Sequence, residues 1–318
     1  MRGSLWCGEE GGAAGGVSAH WDPVLSGERV IETLLLTEER YLPPPSYLTS
    51  VQRHPHCRDT LATWTLEVCS EWQSEEGVPS LSLALLDRAL AAAPVRTDSL
   101  WLLGAACLLL ACKLRQGGEG LGSRQLCAAT PHRYSTAQLR EMERVVLTTL
   151  RWDVAAVTPH DFLPHFLSAL GLGETQEQEE EEREGCKGLL TTIRRHADTL
   201  VAMCVCDVRF LGTPPSLIAA ATLNSALRGL GYRGPCEGMT NQLAGLCRAD
   251  PALLRFYTEQ VEGALKDRLQ AGMQRERQKE RGIKGEEERE SEGKRERKES
   301  GTEGERSSTP TNLRDVEF

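Results

Sequence analysis

Two side chains of opposite charge stand where a packed helical protein has little room for charge. Lys113 closes a stretch, Ser99 to Arg115, in which Leu100, Trp101, Leu102, Leu103, Cys107, Leu108, Leu109 and Leu110 leave no polar face. Glu143 belongs to a second helical pattern whose apolar stripe is Leu139, Met142, Val146 and Leu150. On an ideal wheel it lies only about 40° from Leu139, inside that stripe. An acid in an apolar face is costly unless it meets a cation or a partner's donors. The chemistry of the two residues is therefore ion pairing, either with each other or with groups on another protein. From spacing alone the internal pair is the simpler reading, since buried ion pairs say little beyond order in the fold.

Other chemistry is sparse. The chain holds no G-x-S-x-G, no Gly-rich phosphate loop and no supported Cys/His pair, so no catalytic residue is assigned and the protein is not expected to be an enzyme. Eleven cysteines occur, but there is no pair of C-x-x-C units. Cys69, Cys107, Cys112, Cys127, Cys204 and Cys206 lie within apolar helical patterns, where they read as small buried hydrophobes. His54, His56 and Cys57 form the one metal-like grouping, and it reads as incidental. Neither a metal nor a cofactor is expected. Near the start, Leu5, Cys7 and Glu9 alternate, so an extended chain turns all three to one side. Two apolar anchors and an acid suit a groove that ends in backbone donors. Near the end, Thr309-Pro310 offers a site to proline-directed kinases, where phosphate would add about −1.5 to −2 charge.

The elements that must position these residues are helical. Leu61, Trp64, Val68 and Trp72 share one face. A helix over Leu81 to Ala93 starts at Ser80 and is ended by Pro94, and the apolar helix follows with Asp98 as its cap and Gly117-Gly118 as its stop. That helix is read as too short, and too interrupted by Gly and Cys, to span a membrane. Ser123 to Ala129 is a short fourth helix, and the capping box Ser135/Gln138 opens a fifth to about Arg151. The pattern then recurs. Thr158-Pro159 opens a helix with Phe162, Phe166 and Leu170, and Leu189 to Val208 is long. Pro214-Pro215-Ser216 opens an apolar helix to Leu227. Asp250-Pro251 opens a last one with Leu254, Val261, Leu265 and Leu269. Glu174 to Glu184 reads as an acidic loop, and Gln274 to Glu305 cannot bury a core.

The fold class is thus all-α, with two consecutive five-helix units between disordered termini. The segments are residues 1–44, a mobile arm; 45–157, the first unit; 158–270, the second; and 271–318, a charged tail. A net charge of −9 argues against a nucleic-acid or anionic-membrane partner. No secretory signal is seen at Met1-Arg2-Gly3-Ser4, which points to a reducing compartment.

Several short runs resemble the D-type cyclins. Residues 57–69, from Cys57-Arg58-Asp59 to Glu67-Val68-Cys69, resemble the opening helix of the cyclin box. Leu85-Leu86-Asp87-Arg88, Leu102-Leu103-Gly104-Ala105, Ala111-Cys112-Lys113 and Leu150-Arg151-Trp152-Asp153 continue the likeness. Thr158-Pro159-His160-Asp161-Phe162, Arg195-His196-Ala197, Asp207-Val208-Arg209-Phe210 and Pro214-Pro215-Ser216 carry it into the second unit. Over roughly residues 28 to 270 and both termini, their order and spacing are specific.

The resemblance implies two cyclin-box units and a regulatory subunit that binds and activates a cyclin-dependent kinase of the 4 and 6 class. That kinase would then phosphorylate retinoblastoma-type proteins at the G1/S transition. Lys113 and Glu143 match the family's kinase-gripping pair, which favours the partner over the internal reading. The second unit's corresponding helix ends Ala226-Leu227-Arg228 and offers no equivalent lysine, so the gripping pair is expected in the first unit alone. Leu5, Cys7 and Glu9 match the motif for retinoblastoma-type pocket proteins. Thr309, with Leu313-Arg314-Asp315-Val316 beyond it, matches the phosphorylated tail that directs nuclear export and recruits a ubiquitin ligase. Arg58, Leu61 and Trp64 match the substrate-docking patch. There Cys57 and Thr60 replace larger aliphatics, a loss on the order of 1–2 kcal/mol of docking. Kinase-inhibitor proteins are further implied partners, and nucleus and cytoplasm the implied location. The alternative is a kinase-independent adaptor or transcriptional scaffold on the same fold.

Overall fold

A computed structural model describes residues 28–53, 55–116, 121–172, 180–231 and 236–274. Among the described residues there are twelve α-helices and no strand. Helices α1 (Glu28–Glu38) and α2 (Pro45–Arg53) lead into a first series of five: α3 (Pro55–Glu71), α4 (Gly77–Ala92), α5 (Leu100–Arg115), α6 (Ser123–Ala129) and α7 (Thr136–Thr149). The second series is α8 (Pro159–Ala169), α9 (Glu180–Cys206), α10 (Pro215–Gly229), α11 (Cys236–Leu246) and α12 (251–274). Both series up to Gly263 belong to one compact unit. Residues from Ala264 onward are a second unit, described only through the last turns of α12.

Each series is organised around its apolar third helix. α5 packs between α4 and α7, and α10 between α8 and α9. Ala106, Cys107, Leu108 and Ala111 have no solvent exposure, as a helix without a polar face requires. Gly104 lets α3 approach α5, because a Cβ there would lie 3.1 Å from Leu61 Cδ2. In the second series Gly212 (φ +86°) precedes α10 in the left-handed region, and a Cβ there would meet Leu48 of α2 at 2.8 Å. Cys69, Cys112 and Cys206 are buried hydrophobes as expected. Burial pushes the Cys69 thiol up to about 12 and that of Cys112 up to about 11.

Several local expectations are corrected. α1 occupies part of the segment read as a mobile arm; its Ile31 and Glu38 are buried, and Val30-Ile31 with Leu34-Leu35 carried a helical signal. Asp98 does not cap α5: a 3₁₀ turn, Thr97–Ser99, precedes the helix, and Asp98 pairs with Arg96 at 3.2 Å. With that turn, Thr97–Arg115 is long and apolar enough by length and composition to cross a membrane, against the expectation that it is too short. Its apolar sides are instead covered by α4 and α7. α9 begins at Glu180, so part of the expected acidic loop is helical. Glutamates favour helices and suit the positive end of the dipole. Trp72 is exposed because α3 ends at Glu71, and Leu265 and Leu269 are exposed on α12. The tail from residue 275, the Gly117-Gly118 stop and His54 lie outside the described residues.

Candidate docking site

The exit of α5 and the middle of α7 form one corner. α7 is started by the expected capping box: Ser135 Oγ accepts from Gln138 N at 3.2 Å, and Gln138 Oε1 accepts from Ser135 N at 2.8 Å. That fixes the register that carries Leu139 and Val146 into the core and leaves Glu143 at its margin. Lys113 Nζ donates to Glu143 Oε1, so the two charges found by spacing are brought together. The lysine side chain is 54% exposed and the glutamate only 13%. A single ammonium has three donors and a carboxylate two acceptor oxygens, so the pair retains capacity for a second protein. Leu114, next to the lysine, is also exposed.

The corner is held rigidly from below. Two residues past Lys113, Arg115 makes paired hydrogen bonds to Asp161, Nη1 to Oδ1 at 2.8 Å and Nη2 to Oδ2 at 3.0 Å. Asp161 Oδ2 also accepts from Thr158 N at 2.7 Å and Thr158 Oγ1 at 2.8 Å, so one carboxylate closes α5 and opens α8. Burial pushes this carboxyl up, but its Arg115 and Thr158 hydrogen bonds outweigh that and hold it below the usual range. Past the end of α7, Arg151 (φ 53°) and Trp152 (φ 61°) are left-handed in succession. That conformation costs about 1–2 kcal/mol per residue. Trp152 N donates to Leu147 O at 2.8 Å, and its ring is mostly exposed. Asp153 anchors the bend by accepting from Arg40 at 2.8 Å and Tyr41 at 3.2 Å, while Arg88 donates to the Asp153 and Ala155 carbonyls.

The expectation of an open patch at Arg58, Leu61 and Trp64 is corrected: all three are core residues. Arg58, 5% exposed, donates to Asp87 through Nε at 2.9 Å and Nη2 at 2.8 Å. It also reaches the Val205 and Cys206 carbonyls of α9 at 3.0 and 3.2 Å. Tyr47 OH donates to the same Asp87 at 2.7 Å. A guanidinium buried so deeply must be paired, which the run of residues around it could not reveal. Leu61 fills the space beside Gly104, and Trp64 Nε1 donates to Ala129 O at 2.9 Å. Cys57, Thr60 and Thr63 are exposed in this stretch, with Trp101 half-buried against Trp64 at a ring separation of 5.8 Å.

Sequence reasoning also missed a counterpart in the second series. Arg228 holds in α10 the place Lys113 holds in α5, and its Nη1 lies 3.3 Å from Glu262 Oε1 on α12. The duplication thus repeats an ion pair at the exit of each central helix, with an arginine where the first series has its lysine. Leu5, Cys7, Glu9 and Thr309 lie outside the described residues. Among the described residues no group of three or more His, Cys, Asp or Glu side chains could hold a metal ion.

Known proteins are similar to this chain in sequence and fold. Residues 29–155 match the family described as "Cyclin, N-terminal domain", and 157–283 match "Cyclin, C-terminal domain". The chain is 41% identical to human G1/S-specific cyclin-D3 over 257 residues, covering 80% of this chain and 83% of that protein. It is 35% identical to mouse G1/S-specific cyclin-D1 over 307 residues, 94% of this chain and 95% of that protein. A viral cyclin from herpesvirus saimiri is similar in fold, with a TM-score of 0.59 at 21% identity over 76% of this chain and 96% of that one.

Proposed function

The chain belongs to the D-type cyclins, and from that premise we propose that its Lys113–Glu143 corner is the grip through which it binds and activates a kinase of the cyclin-dependent 4 and 6 class. As a D-type cyclin it is a regulatory subunit of cyclin-dependent kinases in G1/S and not itself an enzyme. Chemistry therefore stays with the kinase, and the cyclin's part is to hold a kinase element in its active position. The observation that carries the proposal is a rigid, half-exposed ion pair beside an exposed leucine at the exit of the central helix. A lysine in that setting can exchange or share its partner with a second protein without unfolding anything. Close charge pairs at interfaces contribute about 1.5–7 kcal/mol of coupling. Lys113→Glu is expected to abolish co-purification with the kinase while leaving helix content intact; undiminished binding would sink the assignment.

The termini extend the proposal. Leu5, Cys7 and Glu9 recruit a retinoblastoma-type pocket protein as the substrate to be phosphorylated, and a peptide of residues 1–15 should bind one. Phosphorylation of Thr309 controls nuclear export and hands the chain to a ubiquitin ligase, so Thr309→Ala should lengthen its half-life in cells. The protein accordingly divides its time between nucleus and cytoplasm. Kinase-inhibitor proteins share the assembled complex. Substrates that dock through an R-x-L motif bind weakly here, because the surface they would use presents Cys57 and Thr60 while Arg58, Leu61 and Trp64 are spent inside.

A further inference from the structure

The last turn of α5 is held from two opposite sides. Successive helix residues are about 100° apart, so Lys113 and Arg115 point about 200° apart. Lys113 turns to Glu143 of α7, within its own series, and Arg115 to Asp161 of α8, in the other. The body of α5 packs on α3, α4, α6 and α7, all of its own series. Arg115 therefore carries the exit of the docking helix across to the second series. A bidentate guanidinium–carboxylate pair fixes direction as well as distance. Asp161 is itself pinned, because Thr158 N and Thr158 Oγ1 donate to its Oδ2 at 2.7 and 2.8 Å.

A turn in this position needs such a hold. The last four carbonyls of a helix have no intrahelical donor, and helix ends fray. Buried side chains fix α5 from Leu103 to Cys112, and there burial stops. Lys113 and Leu114 are exposed, and Gln116 N closes the turn by donating to Cys112 O at 2.8 Å. The ammonium offered to a second protein thus stands on backbone that apolar packing does not fix. A group held in its bound position loses less freedom on binding and so binds more tightly.

We propose that Asp161 is a positioning residue for kinase docking: through Arg115 it fixes the last turn of α5, so that the second series sets the geometry of the Lys113–Glu143 grip. The inference rests on the function proposed above for that corner. A merely structural clamp would lower stability and leave the affinity of the folded chain unchanged.

The test is a double-mutant cycle on the full chain, titrating a kinase of the cyclin-dependent 4 and 6 class with wild type, Asp161→Asn, Lys113→Met and the double variant. The asparagine carbonyl can still accept from Thr158, while its neutral amide no longer matches the guanidinium. Asp161→Asn is expected to lose about fivefold in affinity, and to add no loss once Lys113 is gone, since a group that acts through another is non-additive with it. Wild-type affinity in Asp161→Asn, or the same loss repeated in the Lys113→Met background, would overturn the positioning role and leave the grip standing. Full affinity in Lys113→Met would instead remove the grip, and this inference with it. Should Asp161→Asn not fold, Arg115→Gln and Arg115→Lys decide from the other side. The first should show the same loss and the second, which keeps a cation for Asp161, should recover part of it; wild-type affinity in Arg115→Gln, or no recovery in Arg115→Lys, would overturn the proposal.

Discussion

The two five-helix series place the same parts at the same stations and use them differently. The central helix of the first, α5, ends on the exposed Lys113 and Leu114 and is uncapped by any side chain at its start. The central helix of the second, α10, is closed at its start: the buried Glu38 of α1 accepts from Ser216 N and Ser216 Oγ, both at 2.7 Å. Inside, α5 has only apolar and small side chains along its buried length, whereas α10 carries Asn224, hydrogen-bonded to Thr258 at 3.1 Å and Thr240 at 3.2 Å. Both exits have an ion pair, but Leu114 stands exposed beside Lys113, whereas Gly229 follows Arg228. Charge with an adjoining apolar anchor suits a docking surface; charge alone is mostly solvated ornament of little energetic consequence. Under the proposed function the duplication separates two duties, with the first series facing a partner and the second held by the chain's own N-terminal helix.

The comparison breaks most readily at the tie between the series. Arg58→Ala would leave the buried Asp87 without its cation and would release the Val205 and Cys206 carbonyls of α9. A loss of about 3–5 kcal/mol in denaturant unfolding is expected. Glu38→Ala removes the lid on α10 and should cost about 2 kcal/mol, without weakening kinase binding if the first series does the docking. Smallest is the intrinsic worth of the two exit pairs. Lys113→Met and Arg228→Met should each shift stability by less than about 1 kcal/mol, since both cations are about half exposed. A large loss at either would mean that the pair is structural cement and would erase the distinction drawn here.

Helices were legible wherever a 3.6-residue stripe met a capping signal, as at Ser135/Gln138 and Thr158-Pro159. The Lys113–Glu143 pair was legible too, because each charge violated the apolar pattern around it. Arg58 was misread because its meaning depends on Asp87, twenty-nine residues on, and on carbonyls in α9. No local pattern encodes such a meeting. Glu38 was missed for the same reason, its partner Ser216 being 178 residues away. The Arg228–Glu262 pair lay hidden because Glu262 sits on a helix whose register only the fold defines.

The most direct test is a titration of a kinase of the cyclin-dependent 4 and 6 class with wild-type chain, Lys113→Glu and Arg228→Glu. Each variant reverses the cation at the exit of one central helix. The first is expected to lose more than about tenfold in affinity and the second to stay within about threefold of wild type. Equal losses in both, or full affinity in Lys113→Glu, would contradict the assignment of docking to the first series.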